Sequence, residues 1–283
     1  VQILGSLERM IKTHYTHSYW IRCEISRISL HHQTGHCYLE LVEKNEKGIV
    51  AQVRAMIWAN DYQPIISKFK SVTGQEPGNG IQVMILCSLK FHPVHGVSLW
   101  VTDIEPSFTL GELARLKNES IAKLKQEGLL DKNKKVYLPL LPSRIAVISV
   151  DTSRGYQDFT QTIITHKKKF RIGWTLFEAI LQGENAVSTI TAAIGRILQR
   201  KEEFDAIAII RGGAGDTGLS CYDEFALAKC IAESPLAVIT GIGHATNETV
   251  VEMVAHKNFI TPTAAAQFLL DQFEREEQDR KST

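Results

Sequence analysis

Ala206-Ile207-Ala208-Ile209-Ile210-Arg211-Gly212-Gly213-Ala214-Gly215 decides the fold of the C-terminal half. Five consecutive apolar residues make the clearest buried strand in the chain, and they stop at an arginine and a glycine-rich turn. Similar units lie on both sides. Ile145-Ala146-Val147-Ile148 reads as a buried strand, followed by a helix from about Gly155 to His166. Ile172 to Ala179 is strand-like, with a helix from about Asn185 to Lys201 behind it. A helix from about Asp223 to Glu233 leads into Leu236-Ala237-Val238-Ile239-Thr240. Continuous apolar strands joined by helices predict a parallel sheet covered on both faces. Ligands of such sheets bind at the carboxyl ends of the strands.

Three polar groups of residues follow three of these strands, so all fall at one sheet edge. In Arg211 to Gly215, glycines turn backbone N–H groups toward an anion, and the arginine adds a planar charged fork that fits a phosphate. A tight strand–helix turn with a surface arginine is the other reading. The run matches neither G-x-G-x-x-G nor G-x-x-x-x-G-K-[ST], which weakens nucleotide-cofactor readings. Gly241-Ile242-Gly243-His244-Ala245-Thr246-Asn247 places an imidazole between a glycine turn and an expected helix start, where anions bind and protons exchange near neutral pH. Asp151-Thr152-Ser153-Arg154 leads into a helix capped by Ser153 or Thr152, with Asp158 one turn in. Asp158 reads either as a site carboxylate or as a solvent-facing one. The basic run His166 to Lys169 closes that helix; it reads either as a track for a nucleic-acid backbone or, more commonly, as a solvated C-terminus favoured by the dipole.

Before residue 106 the apolar period is about two. Trp20–Arg27, 37–41, 53–57, 81–89 and 97–101 alternate, with turn signals at Gln33-Thr34-Gly35, Gly78-Asn79-Gly80 and His95-Gly96. Five such strands in about 90 residues suit an OB-like barrel. Trp20, Arg22, Tyr38, Arg54 and Trp58 fall opposite the apolar face. Rings that stack bases, with cations beside them to follow phosphates, are what single-strand binding requires; covering the barrel ends is the alternative use. Leu113, Leu116, Ile121 and Leu124 mark a helix closed by Gly128. The expected organisation is thus a barrel over 1–106, a helical linker over 107–142, an α/β domain over 143–270 and the start of a C-terminal helix over 271–283.

The chain has 283 residues, 44% hydrophobic and 22% charged, with a net charge of +1. That balance excludes a bulk polycation, so a nucleic acid would be held by local patches. Five cysteines include no C-x-x-C pair, which points away from a disulfide framework or a zinc site and toward a reducing cytoplasm. No apolar run reaches the roughly 20 residues of a membrane helix. The opening on Val1 and the end inside a charged helical pattern suggest a piece of a longer protein.

Taken together, these residues resemble the large subunit of bacterial exodeoxyribonuclease VII along nearly the whole chain. The resemblance is carried by Trp20…Glu24-Ile25-Ser26, Gly35-His36-Cys37-Tyr38, Glu127-Gly128-Leu129-Leu130-Asp131, Arg211-Gly212-Gly213, Gly243-His244 and Thr261-Pro262-Thr263-Ala264-Ala265-Ala266. It implies degradation of single-stranded DNA to oligonucleotides without an obligatory metal or other cofactor, in complex with a small helical subunit bound by a C-terminal region beyond Asp271. By motif, it implies Asp158, Arg211 and His244 as catalytic residues, with Gly212, Gly213 and Gly243 at the phosphate. The family has aspartate where Asn247 stands, and an acidic and a basic residue where His256 and Asn258 stand; Ala214 alters its glycine run. These departures bear on activity more than on fold. They leave a second hypothesis, a catalytically silent single-strand-binding or assembly subunit. A third, an α/β cofactor enzyme with an accessory barrel, lacks a dinucleotide fingerprint.

Overall fold

The computed structural model describes residues 2–45, 47–166, 170–183, 185–212, 219–243 and 248–282, with side chains as far as 278. The chain divides into two compact units, Val1–Arg115 and Leu116–Thr283.

The first unit begins with α1 (Gln2–His14), none of whose residues is buried. β1 (Tyr19–Leu30), β2 (Cys37–Asn45), β3 (Gly48–Ile57), β4 (Gln82–His92) and β5 (Gly96–Glu105) close a barrel in the order β1-β2-β3-β5-β4. Only β3 and β5 run parallel. Alternation sends Cys23, Ile25, Leu39, Leu41, Val83, Ile85 and Val101 inward. The five strands expected from the period-two pattern are all present. The sequence reading has no counterpart for α2 (Ala59–Thr73), which brings Ile65 and Phe69 to the same core. Asn60, Asp61 and Pro64 resemble turn punctuation and mask its 3.6-residue spacing. Gly74, at φ +73°, closes it with an N–H bond to the Lys70 carbonyl.

The second unit is reached along α3 (Pro106–Gln126). Its elements are β6 (Arg144–Ser149), α4 (Arg154–Thr165), β7 (Gly173–Glu178), α5 (Ala186–Leu198), β8 (Ala206–Ile210), α6 (Phe225–Ala232), β9 (Ala237–Gly241), α7 (Val250–Val254), β10 (Lys257–Phe259) and α8 (Pro262–Ser282). All five strands are parallel, in the order β10-β9-β8-β6-β7. The expected parallel sheet is present; the short edge strand β10 carries too little apolar sequence to be seen in advance.

Each of the central strands β6, β8 and β9 is buried on both faces. Ala146, Ile148, Ile207, Ile209 and Val238 pack with α5, α6 and α7, whereas Ile145, Val147, Ala208, Ile210 and Ile239 pack with α4 and α8. Two boundaries differ from the sequence reading. The 107–142 segment is no free linker: Leu124 and Leu129 sit in the sheet core. Asn133, fully buried, donates to the carbonyls of Ser234 (3.1 Å) and Leu236 (3.0 Å) and accepts from the N–H groups of Val238 (2.9 Å) and His256 (3.1 Å). The last helix starts at Pro262 rather than 271, with Thr261 Oγ1 accepting the Ala264 N–H at its start. Among the described residues no helix is long and apolar enough to cross a membrane.

Candidate active site

From β6 the chain steps to β7 on one side and then to β8 on the other. The connection therefore reverses between β6 and β8, the switch point at which sheets of this kind hold their ligands, in the crevice beyond the carboxyl ends. Ser149, the last residue of β6, donates its hydroxyl to the Ile210 carbonyl at 2.7 Å and ties the two strand ends together. Its hydroxyl is also 3.3 Å from that of Ser153. Ser153 is the α4 cap, accepting the Tyr156 N–H at 3.2 Å, as one of the two expected candidates. The positive end of α4 thus stands at the crevice.

Gly212 is there for contact. A Cβ on Gly155, in the first turn of α4, would stand 2.8 Å from the Arg211 carbonyl carbon and nearer still to Gly212 N and Cα. A Cβ on Gly212 would strike Gly155 in return. Helix and turn touch backbone to backbone, which leaves room for no other residue type. Sequence reasoning passed over Gly155; a glycine inside a helical first turn was the signal available. Beyond β9, Gly241 lies against Pro262 and Ala265, which explains the small residues of the 261–266 motif. Gly243 adopts φ +88°, left-handed backbone that favours glycine.

Arg211 donates its backbone N–H to the Gly241 carbonyl at 3.1 Å, so the ends of β8 and β9 are adjacent. Its side chain is 3% exposed, not the surface arginine of the alternative reading. Alternation sends it to the α5–α7 face, where its charge acts on Cys221 and Tyr222. Burial pushes the Cys221 thiol up to about 11, and the arginine partly opposes this. Burial likewise pushes the Tyr222 phenol up, its hydroxyl donating to the Leu181 carbonyl at 2.9 Å. Asp158 is exposed on α4, which covers the opposite face. The described residues therefore do not bring Asp158 and Arg211 together. Gly213, His244 and Asn247 lie outside the described residues.

The segment just after them is anchored. The Glu248 carbonyl accepts from Lys117 Nζ, and its carboxylate accepts from Asn258 Nδ2 at 2.6 Å. Asp223, 3.7 Å from Lys117, accepts the Val250 N–H at 2.9 Å. Thr249 and Glu252 form a capping box at the start of α7. Asn258 and His256, read as departures, both have structural partners here, and Lys117 and Asp223 were invisible to local pattern because their meeting is tertiary. Among the described residues, no three His, Cys, Asp or Glu side chains are grouped to hold a metal ion.

On the barrel, Tyr38, Met56, Trp100 and Ser88 form one register row across β2, β3, β5 and β4; Glu40, Arg54, Ser98 and Lys90 form the next. Trp58 stands edge-on to Trp100 at 5.1 Å, and Lys90 Nζ lies 4.9 Å from the Trp100 ring. Tyr38, Arg54 and Trp58 thus share an exterior surface, to which Trp100 and Lys90 are additions. Their outward positions in the alternation of β4 and β5 were the available signal. Trp20 and Arg22 lie elsewhere, opposite Leu86 and Met84. Trp20 is exposed, whereas Arg22 is engaged locally: it donates to Gln82 Oε1 at 3.3 Å, approaches Glu112 at 3.8 Å and covers the Phe108 ring.

Residues 129–283 match the family model described as exonuclease VII, large subunit. Residues 1–105 match an OB-fold nucleic acid binding domain. The chain is 32% identical over 259 residues to an exodeoxyribonuclease 7 large subunit from Deinococcus radiodurans, an alignment covering 89% of this chain and 62% of the relative. It is 30% identical over 269 residues to proteins of the same name from Bacillus cereus and Bacillus anthracis, covering 93% of this chain and 55% of each. The chain therefore spans somewhat over half the length of these relatives. A topological switch in the parallel sheet, a barrel with an aromatic exterior and a match over more than half the residues agree: the chain belongs to the exonuclease VII large-subunit family.

Proposed function

We propose that this chain is the barrel and sheet portion of a single-strand-specific exodeoxyribonuclease, working in complex with a small subunit held by a C-terminal region, without an obligatory metal. Phosphodiester hydrolysis adds water at phosphorus, breaks a P–O bond and sends a proton to the departing oxygen. Charge grows on the non-bridging oxygens. Arg211 and the N–H groups of the Gly212–Gly213 and Gly243 turns meet that charge, usually the largest catalytic contribution. His244 moves the proton, a role worth about 10²–10⁴-fold. Asn247 holds a histidine tautomer but supplies no charge, so proton transfer is weaker than with a carboxylate partner. The barrel surface around Tyr38, Arg54, Trp58 and Trp100 delivers the strand by stacking. Five free thiols, four of them buried, suit a reducing cytoplasm.

The observation that carries this reading is the adjacency of the β8 and β9 ends, where Arg211 meets Gly241 beside the start of α4. End-labelled single- and double-stranded DNA, incubated in EDTA with the full-length protein and its small subunit, tests it. Loss of single strands alone is expected; absence of cleavage favours the second reading, a single-strand-binding or assembly subunit, for which Asn247 is the specific motive. Asn247→Asp should raise the rate; an unchanged or lower rate contradicts the proton-transfer argument.

A further inference from the structure

The barrel holds a histidine that sequence motif alone leaves without a task. His36 stands immediately before β2, after Gly35 in the left-handed region at φ +71°. A Cβ on Gly35 would lie 3.1 Å from Ala59 Cβ, so this loop closes tightly on the start of α2. There the His36 Nδ1 accepts the Ala59 backbone N–H at 3.1 Å. Trp58, the cap residue of α2, offers no side-chain acceptor. His36 thus supplies, from 23 residues away, the acceptor that a Ser, Asp or Asn usually provides locally. The same imidazole stands edge-on to Trp58 at 4.6 Å and 85°, and Trp58 stands edge-on to Trp100 at 5.1 Å and 85°. Lys90 covers Trp100.

We propose that His36 is a positioning residue for the barrel's stacking surface: its neutral Nδ1 fixes the start of α2 and with it the Trp58–Trp100 pair, so that single-strand binding falls when the imidazole is protonated. The inference rests on the reading above that this surface takes bases. An Nδ1 that accepts must carry no proton. Acidification places an N–H there, facing the Ala59 N–H donor to donor, and the cap is lost. The titratable groups on the elements meeting at His36 are His31 and His32 in the same loop, Cys37, Tyr38, Glu40, Glu43 and Lys44 on β2, and Asp61, Tyr62, Lys68 and Lys70 on α2, with Lys90 beyond Trp100. Of these, histidines are the groups whose charge ordinarily changes between about pH 5 and 8. His31 binds Thr34 Oγ1 through its own Nδ1 at 3.0 Å and stands edge-on to Tyr38 at 6.5 Å, so it needs its own control.

The full chain is titrated with fluorescein-labelled oligo(dT) from pH 8 to 5.5, beside near-ultraviolet circular dichroism of the DNA-free protein. Wild type is expected to weaken about 3–10-fold in acid, the scale of a lost helix cap, with a parallel change in the tryptophan signal. His36→Asn keeps an oxygen acceptor near the Nδ1 position, and both its binding and its tryptophan signal should be independent of pH. His36→Leu should show the acid behaviour already at pH 8, and His31→Gln should keep the wild-type response. An unchanged pH response in His36→Asn, its loss in His31→Gln, or wild-type affinity of His36→Leu at pH 8 overturns the assignment to His36. Absence of oligo(dT) binding by wild type at pH 8 instead overturns the surface reading on which the assignment stands.

Discussion

Replacing Gly155 by alanine adds one methyl group at the tightest backbone contact described in the sheet unit. Alanine inside a helix is ordinarily better than glycine by about 0.5–1 kcal/mol. Here the new Cβ would lie 2.8 Å from the Arg211 carbonyl carbon and closer to Gly212, all of it backbone that no rotamer change can clear. The start of α4 must retreat by about 1 Å to clear Gly212 Cα, 2.3 Å from that Cβ, and forced packing of this kind costs about 1–3 kcal/mol. The net effect runs from about zero to a destabilisation of about 2.5 kcal/mol where propensity alone predicts a gain. Gly195, on α5, is the matched control: a methyl group added there would meet nothing within 4 Å, and Gly195→Ala should gain up to about 1 kcal/mol. Urea unfolding of both variants reads the difference. Because the retreat separates the Ser153 cap from the Arg211 turn, the nuclease activity proposed for the full-length complex should fall about 10–100-fold. A Gly155→Ala chain as stable as the Gly195→Ala chain would refute the close-contact argument.

Further expectations concern the same framework. Gly243→Ala forces a side chain into φ +88° and should cost about 1–2 kcal/mol in urea unfolding. Asn133→Ala removes four interior hydrogen bonds; the Leu236 carbonyl keeps the Ser234 hydroxyl and the His256 N–H keeps the Val238 carbonyl, so the cost should be about 2–4 kcal/mol, lowering the melting temperature by several degrees. For Asp205, burial pushes the carboxyl up, but hydrogen bonds from the Arg144 guanidinium and from the Ser143 and Arg144 N–H groups outweigh this and hold it below the usual carboxylate value. Such a group stabilises the fold above its unfolded value near 3.9 and loses that contribution as pH falls through its folded value. Asp205→Asn should therefore be about 2–3 kcal/mol less stable at pH 7, with the gap to wild type narrowing below about pH 4 in urea titrations.

The barrel strands and the four longer sheet strands were legible because burial enforces a period: two where one face is covered, an unbroken apolar run where both are. Gly128 was legible as a helix stop for a related reason, since its φ of +68° excludes most side chains. What escaped the sequence depends on partners distant in the chain. Asn133 reads as loop polarity until the carbonyls of Ser234 and Leu236 are brought to it. Arg211 was legible as a functional arginine at a strand end, but not as a buried one, because the residues that its charge acts on, Cys221 and Tyr222, follow 10 and 11 positions later. Asp158 and Arg211 shared an edge in the sequence reading. Strand alternation directs Arg211 to one face while α4, which carries Asp158, covers the other, a distinction that edge location alone does not make. The five barrel residues grouped by outward position likewise divide, since a closed barrel points its exterior in every direction.

The central claim is that the arginine buried at the end of β8 serves hydrolysis of a single strand. Its most direct test is cleavage and binding of one end-labelled single-stranded oligonucleotide by the full-length complex carrying Arg211→Lys. A loss of about 10²–10³-fold in cleavage rate is predicted, with affinity within a few-fold of wild type and an unchanged unfolding midpoint. Cleavage at the wild-type rate would contradict it.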